Sequence, residues 1–387
     1  MNKNSTTAKS NIARLNSIDS LRGLAALIVV IYHARAMLWI GLSETWRQYG
    51  LSLDINNWLG YATAPFSLGG LAVALFFVLS GYCIHRKNAL NLSQNPNTKL
   101  EIKQFIARRL WRIYPVYFIS LCITAIIDAH LITYHPTYVH PGQDNSFFAF
   151  IMSLLSLQGL AAAPFGSNGV FWTLALELHF YAIYPLLYYI SRKFGATKAI
   201  SVTLIVSVIY ILFDITFGFS NKLPYRNNGV PIFLPYWFTW GFGFYLAEIE
   251  AGRASIPKNF WLLSIVGAIL TVPALLSGYQ PFSYFTSTLV FGGLIWWSTT
   301  FSGQLFWKNI VGIWLARIGT FSYSLYAIHV PSILMFKFLI SPSGESFKTL
   351  IPTILAIFVS IISGYLLFFL VERWTLKYPK FLQNFVK

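Results

Sequence analysis

Ile18–Gly41 reads IDSLRGLAALIVVIYHARAMLWIG. Its apolar run is long enough to cross the hydrocarbon core of a bilayer as a helix, which takes about 20 residues. It nevertheless carries Arg22, His33 and Arg35. Placing such a group near the bilayer midplane costs at least about 2.5 kcal/mol on the lenient insertion scale, so an ionisable residue there calls for a functional explanation. Arg22 and His33 are eleven positions apart. At 100° per residue they return to within about 20° of one helix face, with about 16 Å of rise between them. Read singly, Arg22 is a snorkelling anchor paired with Asp19 one turn earlier, His33 a hydrogen-bonded structural histidine, and Arg35 a residue reaching the outer interface. The shared face favours a joint functional reading of Arg22 and His33.

The rest of the chain fits a membrane context. Of 387 residues, 56% are hydrophobic and only 10% charged, where a soluble chain carries about 25% charged residues. The 18% aromatic content suits interfacial belts. The first twenty residues are polar and the first apolar run has no small-residue cleavage site, so it reads as a permanent span rather than a signal peptide. A net charge of +16 is explained by positive-inside loops without invoking nucleic acid. Cys83 and Cys122 both fall inside apolar runs, which argues against a disulfide and against cysteine-ligated metal.

Ten windows have the length and composition of spans: 21–40, 62–84, 113–132, 170–190, 198–217, 231–249, 259–277, 284–301, 315–340 and 350–371. The expected fold is therefore all-α, a polytopic membrane protein of about ten helices with both termini cytoplasmic. Residues 1–20 form an N-terminal tail, 21–371 the membrane domain and 372–387 a C-terminal tail. This orientation leaves only Arg47, Lys222, Arg226 and Lys348 in the outer loops. Segment 147–166 is apolar too, but counting it as a span would put Arg192, Lys193 and Lys198 outside. It is expected to be a short interfacial or re-entrant helix on the outer face.

Three more stretches place polar chemistry in these windows. In ARRLWRIYP (107–115), Arg109 and Arg112 share a helix face and Arg108 is adjacent. Guanidinium forks suit phosphate, although a positive-inside anchor has the same spacing. In FWTLALELHFYAIYPLLYY (171–189), Glu177 lies about one and a half turns inside the outer end of its span. It is a functional candidate or the structural partner of an arginine such as Arg35. His179 faces elsewhere. In IGTFSYSLYAIHVP (318–331), Tyr323 and Tyr326 stack at helical spacing below His329, as an acceptor-side group or as a packed aromatic stripe. His130, His135 and His140 share no helical face and make a poor metal set.

Together these residues suggest arginines at a cytoplasmic mouth suited to a phosphorylated donor, with a histidine and a carboxylate about two-thirds of the way across, where histidine can take a proton from a hydroxyl. That is group transfer across a membrane. The competing class is a transporter or lipid-linked saccharide flippase, which would place such residues at broken helices of two repeats; no internal repeat is visible.

In order and spacing, SIDSLRGLAALIVVIYHA, FFVLSGYCI, RRLWRIYPVYF, FWTLALELHFYAIYPLL and GTFSYSLYAIHVP resemble membrane acyltransferase family 3, which includes bacterial O-antigen and exopolysaccharide O-acetyltransferases. The resemblance spans about residues 15–375. It implies a bacterial inner-membrane O-acetyltransferase of about ten spans, with acetyl-CoA as donor, no metal, and a glycan hydroxyl on the outer side as acceptor. Further expected contacts are membrane lipids, and no nucleic acid. By the same resemblance His33 is the catalytic residue, either deprotonating the acceptor hydroxyl or briefly carrying the acetyl group, with Glu177 orienting its imidazole or contacting the sugar and Arg22 stabilising the donor or its path; Arg109 and Arg112, with Arg108, hold the donor. Tyr326, His329 and Trp172 are candidates for substrate contact. Some relatives carry a C-terminal SGNH hydrolase-like domain, which is not expected here. The ending VERWTLKYP matches the family loosely, and no functional role is assigned to it.

Overall fold

The computed structural model describes residues 3–51, 54–135, 143–218 and 232–379, with side chains from residue 17 onward. The described residues are helical throughout, apart from turns and three isolated β-bridges. In chain order the helices are α1 Lys3–Leu38, α2 Leu42–Tyr49, α3 Ile55–Ala62, α4 Leu71–Gln94, α5 Ile102–Tyr134, α6 Phe147–Leu154, α7 Phe171–Phe194, α8 Ala196–Phe217, α9 Trp237–Glu250, α10 Phe260–Leu276, α11 Gln280–Thr299, α12 Phe301–Phe306, α13 Ile310–Thr320, α14 Ser322–Ile340, α15 Ile351–Leu367 and α16 Arg373–Thr375.

A helix covers part of each of the ten expected windows. Five are long and apolar enough to cross a membrane, or six if the α3–α4 pair, bent by 41°, is one span. Outward faces are apolar, on two of these helices and on the shorter α10: Ile205, Ile209 and Leu212 on α8, Ile265 and Ile269 on α10, and Phe358 and Ile362 on α15 are all exposed. Water would penalise apolar faces of this extent, whereas hydrocarbon accommodates them. With the family described below, they make this a multi-pass membrane protein.

Several boundaries differ from the sequence reading. Helix α1 begins at Lys3 and runs without a break through residue 20 into the first expected window. Helix α5 begins at Ile102 rather than 113 and carries its arginines as an extension of the span. The window 315–340 is two helices, broken at Phe321. Segment 147–166 holds only the eight-residue α6, about 12 Å long and too short to cross. Beyond it an irregular stretch is pinned inside the protein by Gln158 Nε2, which donates to the Tyr117 hydroxyl and the Phe171 carbonyl, both at 2.9 Å. Residues 372–375 stay packed on the bundle: Glu372 and Thr375 are buried, and Thr375 Oγ1 donates to the Arg112 carbonyl at 3.4 Å. Lys222, Arg226, His140 and residues 380–387 lie outside the described residues.

Two close crossings set the helix positions. Gly81 and Gly243 face each other where α4 meets α9. A Cβ at Gly243 would lie 1.9 Å from the Val78 carbonyl oxygen, and one at Gly81 would lie 2.0 Å from that of Trp240. Gly23 and Gly319 do the same between α1 and α13. Small residues allow this backbone approach, which matters where lipid supplies no hydrophobic drive between helices. Helix α14 packs against α1, α5 and α15 and is buried along most of its length. It therefore presents Tyr323, Tyr326 and His329 to the interior.

Candidate active site

A cavity of about 250 Å³ opens between α1, α4, α5, α7 and α14. Asp19 and Arg22 enter from α1, Ser80 and Cys83 from α4, Arg109 and Arg112 from α5, Glu177 and Tyr181 from α7, and Tyr323 and Tyr326 from α14, with Glu372 closing one side. Five helices thus converge on one polar chamber in an otherwise apolar bundle.

Arg22 Nη1 donates to Asp19 Oδ1 at 3.1 Å, one turn back along α1. Arg109 and Arg112 have no carboxylate within ion-pair distance among the described residues. Arg109 instead lies 5.8 Å above the Tyr181 ring and 5.5 Å above Phe105, a stacking that orients the guanidinium while leaving its N–H donors available. Glu177 accepts from Ser80 Oγ at 3.2 Å and from the Tyr181 hydroxyl. Glu372 is the last residue of a π-helical turn, Phe368–Glu372. Its Oε2 accepts from Ser324 Oγ at 2.6 Å and the Ser324 amide at 3.2 Å.

Tyr326 connects this chamber to a second feature. Its hydroxyl pairs with Thr173 Oγ1 at 2.7 Å. One turn further along α14, His329 is fully buried and bonded to the Tyr326 carbonyl at 2.7 Å. The other ring nitrogen of His329 meets His33 Nδ1 at 3.1 Å. His33 also faces the Val29 carbonyl at 3.0 Å.

The structure thus brings together Arg22, Arg109, Arg112, Glu177 and Tyr326, and joins His33 to His329. It separates four other expected placements. Glu177 lines the chamber with Arg22, Arg109 and Arg112 and bonds to Ser80 and Tyr181, not to His33, which lies about 16 Å of helix rise beyond Arg22 on α1. Arg108 points away from the chamber and lies 5.8 Å over the Tyr378 ring, because its neighbours in sequence occupy the inward face. Trp172 packs edge-on to Phe77 and against Tyr236 and does not line the chamber. Arg35 is buried, donating to the Thr63 carbonyl and lying 4.8 Å over the Trp39 ring. It does not pair with Glu177, which bonds to Ser80 and Tyr181 instead.

His179 bonds to the Ser156 carbonyl at 2.9 Å, outside the chamber. His130 stacks on Tyr134 and His135 on Phe338, and the described residues contain no group of three or more metal-type ligands. Sequence reasoning missed Glu372. Its only sequence signal was an acid ending the last apolar run. It also missed the buried group in which His85 Nε2 meets Glu248 Oε1 at 2.8 Å and Arg253 donates to Glu248 Oε2 at 2.6 Å.

Comparison with known proteins gives the reaction class, acyl transfer. The chain is 25% identical to the peptidoglycan O-acetyltransferase OatA of Listeria monocytogenes over 82% of this chain and 49% of that protein. It is 29% identical to the acyltransferase MdmB of Streptomyces mycarofaciens over 47% of this chain and 41% of that one. To the O-acetyltransferase OatA of Staphylococcus aureus it is 26% identical, over 50% and 28% respectively. The chain spans about half the length or less of these curated relatives. No solved structure matches it. The family model described as an acyltransferase domain covers residues 15–373, every lining residue of the chamber included: this protein belongs to the acyltransferase 3 family.

Proposed function

We propose that this protein is an O-acetyltransferase of the bacterial inner membrane that moves an acetyl group from cytoplasmic acetyl-CoA to a hydroxyl of a cell-surface glycan. In this reading it has ten spans and both termini in the cytoplasm. The observation that carries the proposal is the chamber itself. Two guanidiniums with no carboxylate in ion-pair distance among the described residues stand at one end, and a tyrosine at the other leads to a histidine pair. Arg109 and Arg112 take phosphates of the donor, for which guanidinium forks are well shaped. The pantetheine arm runs past Ser80, Cys83 and Tyr323, bringing the thioester towards Tyr326 and His33. Glu177, held by Ser80 and Tyr181, and Arg22, held by Asp19, line that path. The family and the O-acetyltransferases among the relatives support the reaction class, and the similarity to a peptidoglycan O-acetyltransferase supports a glycan acceptor.

The transfer is a balanced exchange. The acceptor hydroxyl gives its proton to His33, its oxygen bonds to the thioester carbonyl carbon, and the carbon–sulfur bond breaks. The departing sulfur then takes the proton, leaving CoA as its thiol. General-base catalysis of this kind contributes about 10²–10⁴-fold in rate.

Radiolabelled acetyl-CoA supplied to the cytoplasmic side of oriented vesicles tests the proposal, with wild type and His33→Ala in parallel. Label on glycan with wild type alone is the expected result. No label with either, together with failure to bind CoA while inserted protein and acceptor are present, would refute acetyl transfer and favour a transporter or flippase.

A further inference from the structure

The hydrogen bonds of the two histidines restrict where their protons sit. His33 Nδ1 lies 3.0 Å from the Val29 carbonyl oxygen, and His329 Nδ1 lies 2.7 Å from that of Tyr326. A carbonyl oxygen only accepts, so each Nδ1 carries a hydrogen. A neutral imidazole has one N–H, which leaves His329 Nε2 as a lone pair. Neither ring has a carboxylate within ion-pair distance among the described residues, so no partner there holds an imidazolium. The 3.1 Å contact between the rings therefore has one sense: His33 Nδ1–H donates, shared between Val29 and His329 Nε2, and His329 accepts. His33 Nε2 is then the unprotonated atom. It has no hydrogen-bond partner among the described residues, and His33 is half-buried rather than sealed.

We propose that His329 is a positioning residue rather than a substrate contact: it holds His33 in the tautomer whose Nε2 receives the acceptor's proton. The inference rests on the acetyl-transfer reading above and assigns the role expected of Glu177 to His329 instead. Glu177 is committed to Ser80 and Tyr181, whereas His329 is fully buried and anchored by the Tyr326 carbonyl. When Nε2 takes the proton, His33 becomes an imidazolium. Its Nδ1–H bonds to His329 Nε2 and the Val29 carbonyl then become charge-assisted, which strengthens them. An interaction stronger in the transition state than in the ground state lowers the barrier. Without His329 the ring keeps the Val29 bond but loses the second acceptor that fixes its orientation.

The test compares wild type, His329→Ala and His329→Gln in acetyl transfer. Gln ends in an oxygen at about the reach of Nε2 and can accept from His33 Nδ1–H. His329→Ala is expected to lose about a hundredfold in kcat, the scale of a 1 Å misplacement, with the KM for acetyl-CoA nearly unchanged. His329→Gln is expected to recover at least about tenfold of that loss. Melting temperature in detergent shows which variants are folded. Wild-type kcat in His329→Ala would overturn the positioning role. So would equal inactivity of a folded Ala and a folded Gln variant, or a loss confined to acceptor KM. A wild type that transfers no acetyl group overturns the reaction itself, which is a different outcome from any of these.

Discussion

Replacing Gly243 by Ala tests whether the α4–α9 crossing sets the geometry of the chamber. The new methyl carbon would stand 1.9 Å from the Val78 carbonyl oxygen and 2.7 Å from the Tyr82 amide, against ordinary contact of 3.4 Å or more. Both are backbone atoms, so no side chain can swing aside and the helices must separate by about 1.5 Å. Overpacking of this kind costs about 1–3 kcal/mol. The same separation pulls at Ser80, which accepts from Trp240 Nε1 on α9 at 3.2 Å and donates to Glu177 at 3.2 Å. A displacement near 1 Å lowers a rate by about a hundredfold. The expected result is a lower melting temperature in detergent together with a loss of acetyl transfer near that size. Gly70→Ala is the control, because its backbone is already helical and a Cβ there meets nothing within 4 Å. A Gly243→Ala protein that melts and transfers like wild type would refute the claim that this crossing positions the site.

Arg109→Ala with Arg112→Ala is expected to weaken acetyl-CoA binding and flatten its salt dependence, since wild-type affinity should fall as ionic strength rises; unchanged affinity and slope would return both residues to an anchoring role. Glu372→Ala removes the acceptor of two Ser324 donors and should destabilise by about 1–3 kcal/mol, while Glu372→Gln keeps an acceptor and should melt nearer wild type. Unfolding of both in parallel checks this. Glu248→Ala removes the carboxylate shared by His85 and Arg253 and should cost about 3–5 kcal/mol, read as a large drop in melting temperature. With Cys83 and Cys122 replaced by Ser, Gly195→Cys and Ser343→Cys should react with an impermeant thiol reagent from opposite sides of the membrane; same-side labelling would break the proposed topology.

The helical architecture could be read locally. An apolar run of about 20 residues satisfies its own backbone only as a helix in lipid, so a window such as 198–217 defines its element without reference to any other. The pairing of Arg22 with Asp19 was equally local, one turn of one helix. The face shared by Arg109 and Arg112 followed from spacing alone, and both do enter the chamber. Which residues meet across helices was a different matter. His33 could be matched to Glu177 only by estimated depth, and depth along separate helices does not measure distance between them. The crossing of α1 with α14 decided that His329 stands beside His33. The placement of α7 decided that Glu177 stands with the arginines. Glu372 looked like the start of a polar tail until the π-helical turn that ends on it and the Ser324 donors opposite showed it folded inward. The sequence by itself determined that this chain is a helical membrane protein, and which faces of its helices carry chemistry, because those follow from periodicity and solvation of a single segment. Only the tertiary structure decided which of those faces share a chamber, because that depends on glycine-mediated approaches such as Gly81–Gly243, where backbones from distant parts of the chain come into contact.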